Sequence, residues 1–122
     1  MSGLLRFLTG IILSLHGLVH LLGTAVYLKL TTIPEFPYKT TVLGGRWDLG
    51  PGGIRIFGLL WGVVAAGFLG AALALLLDRT EWRALLLVVT LGSLVLTVLD
   101  WTVAYAGIAV NVALLAALFV TS

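Results

Sequence analysis

The chain has 122 residues, of which 61% are hydrophobic and 10% charged, with no cysteine and a formal net charge of +2. A soluble domain carries about a quarter of its residues as charged side chains, and a mean hydropathy of +1.18 leaves too few here to cover a water-facing surface. Disulfides, thiolate metal ligands and dithiol redox chemistry are excluded, and with no basic run nucleic acid is not an expected partner.

The first apolar stretch, Phe7 to Leu28, is longer than the roughly 7–15 residues of a signal-peptide core and is read as a retained span over 4–30. Its centre, SLHGLVHLLG, holds His16 and His20. Successive helical residues turn by about 100°, so Thr9, His20, Gly23 and Tyr27 all fall within about 40° of His16. They form one polar stripe on a helix otherwise made of Leu, Ile, Val and Phe.

The connection from Thr31 to Gly53 contains Pro34, Pro37 and two glycine clusters, which favour turns. It also carries Phe36, Tyr38, Val42, Leu43 and Trp47, too many apolar groups for a flexible linker. A structured cap at the membrane surface is expected, with a hairpin-like or amphipathic piece. Trp47, Tyr38, Trp82 and Trp101 are expected as interfacial aromatics. In GGRWDLGPGG, Arg46, Trp47 and Asp48 are candidates for a lip over a cavity; the plainer reading is a turn capped by Asp48, with Arg46 pairing to it.

The second span is expected over 54–77. Gly58, Gly62, Ala66 and Gly70 recur every four residues, the spacing that lets helix backbones approach closely. Packing inside the bundle and contact with a second copy are both readings of this stripe. After the polar DRTEWR, residues 84–120 are apolar for roughly 37 positions. As one helix they would reach about 55 Å, nearly twice the hydrocarbon core. The chain must therefore turn back within DWTVAYAG, giving spans over 82–101 and 103–120. On the third, Arg83, Ser93, Thr97 and Asp100 lie within about 80° of Thr90.

The fold class is thus all-α: one domain over 1–122, an integral membrane four-helix up-down bundle with a structured 31–53 loop between helices 1 and 2. Basic residues divide three against four between the two ends, Arg6, Arg79 and Arg83 against Lys29, Lys39, Arg46 and Arg55. The compact Arg79/Arg83 loop favours a cytoplasmic N-terminus.

Polar side chains in spans face the bundle interior or a wet cavity. Stripes one and three should therefore meet, with Asn111 of span four nearby and His16 or His20 opposite Asp100. Three roles suit this seam. Thr9, His16, His20, Tyr27, Ser93, Thr97, Asp100 and Asn111 could line a site for an apolar ligand or cofactor such as a lipid, quinone or isoprenoid. The histidines could be interhelical hydrogen-bond glue in a structural or assembly subunit of a larger membrane complex. His16, His20 and Asp100 could act as a membrane-embedded acid–base catalyst. A metal at His16 and His20 needs a third ligand such as Asp100, Asp48 or Glu35. Two His on one helix cannot clamp one haem from both faces. Neither metal nor haem is expected, and no cofactor is identified.

LLRFLTGIILSLHGLVHLLG resembles the opening of the DoxX-like family of small four-helix membrane proteins, at Arg6, Gly10, His16 and Gly17. The resemblance implies a bacterial inner-membrane protein linked to membrane oxidoreductase systems and quinone-connected sulfur metabolism. The sequence departs from the family after the His-Gly pair. Leu18, Val19 and His20 stand where the family often has Lys or Gln.

Overall fold

A computed structural model describes residues 1–121 and contains four helices in an all-α bundle: α1 (Gly3–Tyr27), α2 (Gly50–Leu76), α3 (Trp82–Leu99) and α4 (Trp101–Val120). Each is long and apolar enough to cross a membrane. Leu15, Val19, Val63, Val88, Val95 and Val112 are all more than half exposed. In lipid such a surface has no cost, because acyl chains are as apolar as the side chains themselves.

The helix ends follow from local chemistry. Ser2 caps α1, its Oγ accepting from Leu5 N–H at 3.1 Å. The first span stops at Tyr27, three residues before the expected end. Lys29 adopts φ +58°, Leu30 N–H reaches back to Ala25 O, and Lys29 N–H to Val26 O. That pair of bonds closes the helix with a left-handed residue. Asp78 ends α2 in the same way. α2 begins at Gly50, four residues earlier than hydropathy indicates, because Pro51 is pre-shaped for a first helical turn.

The reversal between α3 and α4 does fall within DWTVAYAG. Asp100 ends α3 and opens α4, and Ala104 departs from helical geometry at φ −107°, ψ 18°. The 31–53 connection is a structured cap. Thr41 pairs with Asp48 and Val42 with Trp47 in a two-stranded antiparallel hairpin, β1 (Thr41–Val42) and β2 (Trp47–Asp48). Leu43 N–H donates to Leu99 O at 2.7 Å, docking the hairpin on the end of α3.

α1 and α2 approach closely through glycines on both helices. A Cβ at Gly17 would stand 2.9 Å from Phe68 Cβ, and one at Gly58 would stand 2.8 Å from Tyr27 Cβ. Thr24 Oγ1 donates to Gly58 O at 2.7 Å across the same contact. The small-residue stripe of α2 does not meet one partner along its length: Gly58 and Gly62 face α1, Gly70 lies toward Leu85 of α3, and Ala66 is exposed. Two apolar clusters fill the interior. One gathers Leu13, Phe68, Leu75 and Leu86; the other, under the cap, gathers Tyr27, Ile54, Phe57, Trp61 and Leu96. The polar residues lie between and beside them.

Candidate functional site

His20 is 2% exposed and His16 half-buried, and both point inward. Their rings meet edge to face at 4.7 Å. His20 also lies against Trp61 and Phe68, one from each apolar cluster. The i, i+4 spacing on α1 makes this possible, and Gly17 between them leaves room for Phe68.

The hydrogen bonds fix the tautomers. His20 Nδ1 is 2.7 Å from His16 O. A carbonyl only accepts, so Nδ1 carries the proton and Nε2 accepts from Ser93 Oγ at 2.6 Å. Ser93 Oγ in turn accepts from Asn111 Nδ2 at 2.8 Å. Asn111 Oδ1 accepts from His16 Nε2 at 3.0 Å. The circuit runs His16, Asn111, Ser93, His20 and back to the His16 carbonyl, and it closes without a charged imidazole. Asn111 also donates to Thr97 Oγ1 at 3.3 Å, and Thr97 donates to the α3 backbone. Three helices, α1, α3 and α4, are thereby tied in one layer. The seam inferred from the stripes exists, and Asn111 is its centre.

Asp100 is not part of it. The expected pairing of Asp100 with a histidine is replaced by a second polar cluster at the capped end. Asp100, with a fully buried side chain, accepts from Tyr27 OH and from Lys39 Nζ, the latter at 2.6 Å. Lys39 Nζ also bonds Tyr27 Oη at 2.7 Å. Lys39 is the member of this polar cluster that sequence patterning overlooked. It lies in the loop, outside any helical stripe, and only the folded cap brings it over the mouth of the bundle. A lone lysine amid Phe36, Pro37 and Tyr38 is the one local signal.

The other candidates separate. Thr9 makes no side-chain hydrogen bond among the described residues and lies a full two turns from the network, toward the Arg6 end. Arg46 and Trp47 are exposed, and Arg46 does not pair with Asp48. Asp48 instead accepts from Gly50 N–H at 2.9 Å, which holds its carboxyl below the ordinary range. The lip reading of Arg46, Trp47 and Asp48 thus gives way to the turn. Among the described residues no three His, Asp or Glu side chains converge as metal ligands.

A groove of about 370 Å³ runs between α1 and α4, within the size range of small-molecule sites. His16, His20 and Thr97 supply its polar wall, Val19, Val103 and Val110 its apolar walls, and Glu35 and Phe36 of the cap overhang it. His16 Nδ1 has no hydrogen-bond partner among the described residues. The buried indole N–H of Trp61, another lining residue, has none either. One unused acceptor and one unused donor therefore belong to residues of the same groove. No protein family, curated protein or solved structure matches the chain. The resemblance to the DoxX-like family rests mainly on residues of the first span, with the four-span layout beside them.

Proposed function

We propose that the chain is a small integral membrane binding protein that holds an apolar molecule with a polar end in the α1–α4 groove. The carrying observation is the groove itself: apolar on most sides, flanked by exposed Val19 and Val110, with His16 and Trp61 offering an unfilled acceptor and donor. A buried donor without a partner costs about 1–3 kcal/mol. An alcohol or carbonyl-bearing head relieves that cost, and its tail lies along Val103 and Val110. Lipid, quinone and isoprenoid all fit this description. In the reading implied by the first-span resemblance, the protein serves a membrane oxidoreductase in a bacterial inner membrane. The compact loop that carries Arg79 and Arg83 supports a cytoplasmic N-terminus.

The test is extraction in a mild detergent followed by mass spectrometry of retained small molecules, for wild type and for Val110→Trp, which fills the groove. A retained apolar species that Val110→Trp loses, with unchanged thermal unfolding, supports the proposal. Equal retention by both proteins overturns it.

The closed hydrogen-bond circuit favours a second reading, interhelical glue. In that case His20→Ala lowers stability and leaves retention of every small molecule unchanged. The acid–base reading loses its main support, because Asp100 is bonded to Lys39 and Tyr27 and not to a histidine.

A further inference from the structure

The opposite end of the bundle carries an unrelated site. A cavity of about 410 Å³ opens between the start of α1, the end of α2 and the start of α3. Its lining includes two guanidinium groups, Arg6 and Arg83, together with Leu5, Leu75, Trp82 and Thr121, and no acidic residue. We propose that this cavity binds the phosphate of an anionic membrane lipid between Arg6 and Arg83.

Three observations carry the assignment. Arg6 Nε is buried with no hydrogen-bond partner, although the same guanidinium reaches Asp78 through NH2 at 3.1 Å. Asp78 is not one of the lining residues, and its side chain is 78% exposed, so solvent screens the pair. Arg83 is held in place rather than free to swing away. Its NH2 donates to Leu118 O at 2.7 Å, and NH1 and NH2 both reach Thr121 Oγ1. A fixed arginine and an arginine with an unused buried donor, both lining one cavity, match the several acceptor oxygens of a phosphate.

The lipid source follows from the neighbourhood. Arg83 also heads a second, apolar groove of about 240 Å³ between α3 and α4, lined by Ala84, Leu87 and Leu118. A headgroup at Arg6 and Arg83 sets an acyl chain at the entrance of that groove. Trp82 stands at the same level, the place of an interfacial aromatic. Basic pockets between spans are a known mode of anionic headgroup capture, and a juxtamembrane cation contributes about 1 kcal/mol to it, or roughly fivefold.

The test uses the full chain in nanodiscs of phosphatidylcholine with a minority of phosphatidylglycerol, read by native mass spectrometry. Wild type retains phosphatidylglycerol beyond its share of the bilayer. Arg6→Gln and Arg83→Gln each lower that retention about fivefold, and Arg46→Gln, at the other end, leaves it unchanged. Arg83→Gln removes a helix–helix bond as well. Arg6→Gln, whose one ion pair is with an exposed aspartate, therefore decides the matter if Arg83→Gln fails to fold. A parallel titration of inorganic phosphate into pure phosphatidylcholine discs separates the sources: weak or no binding supports the lipid, and saturable binding that excludes phosphatidylglycerol assigns the site to the free anion and overturns the lipid. Unchanged retention in Arg6→Gln, or an equal loss in Arg46→Gln, overturns the site altogether.

Discussion

Replacing Lys39 by Met leaves the Asp100 carboxylate, whose side chain is fully buried, with Tyr27 as its remaining donor. Breaking a buried ion pair by removing one partner costs about 3–5 kcal/mol, because the surviving charge is left uncompensated. Two features lower that figure. Lys39 retains 24% exposure, so part of its attraction is already screened, and the Tyr27 hydroxyl persists. About 2–3 kcal/mol is the expected loss. Asp100→Asn should cost less, about 1–2 kcal/mol, since the ammonium left behind can turn to water. The Lys39→Met/Asp100→Asn double variant should be more stable than the sum of the two single losses implies, by at least about 1 kcal/mol. Reversible unfolding in mixed micelles, followed by helical circular dichroism, measures all three. A Lys39→Met loss below about 0.5 kcal/mol, or losses that add within about 0.5 kcal/mol, would show that the cluster does not act as a coupled unit.

Four further outcomes are expected. His20→Ala opens the circuit at Ser93 and should cost about 0.6–1.7 kcal/mol in the same unfolding assay, and Ser93→Ala in combination should add little more. Gly17→Ala puts a methyl 2.9 Å from Phe68 Cβ and 3.1 Å from Ala65 O; separation of α1 from α2 should cost about 1–3 kcal/mol. Asp48 has its carboxyl held below the ordinary 3.8 by Gly50 N–H, so its contribution to cap order is complete above that value and is lost as pH falls through the lowered one. The Gly50 amide shift followed by NMR should move in that acid window, and in Asp48→Asn it should not. Asn111→Leu removes the centre of the circuit, stranding His16 Nε2 and one acceptor site on Ser93; it should destabilise more than Thr97→Val, which loses the 3.3 Å bond from Asn111 and a hydroxyl bond within α3 but strands no ring of the circuit.

The composition and the lengths of the apolar runs determined the class of protein and the number of spans, because a bilayer offers the backbone no partners and admits few charges. Periodicity went further. It placed His16, His20, Ser93 and Thr97 on inward faces, and the circuit through Asn111 is the consequence. The helix ends were less legible, because they depend on left-handed closure at Lys29 and Asp78 and on Pro51, not on hydropathy.

Which polar group meets which partner was decided only in three dimensions. Asp100 shares the stripe of span three, yet it sits at the α3–α4 junction, level with the end of α1. Its nearest polar groups are therefore Tyr27 and the loop's Lys39, while His20 and His16 lie about two and three turns deeper. Angle around a helix can be read from residue spacing. Depth relative to another helix, and the path of an irregular loop across its end, depend on how side chains of different elements pack, and no single segment encodes that.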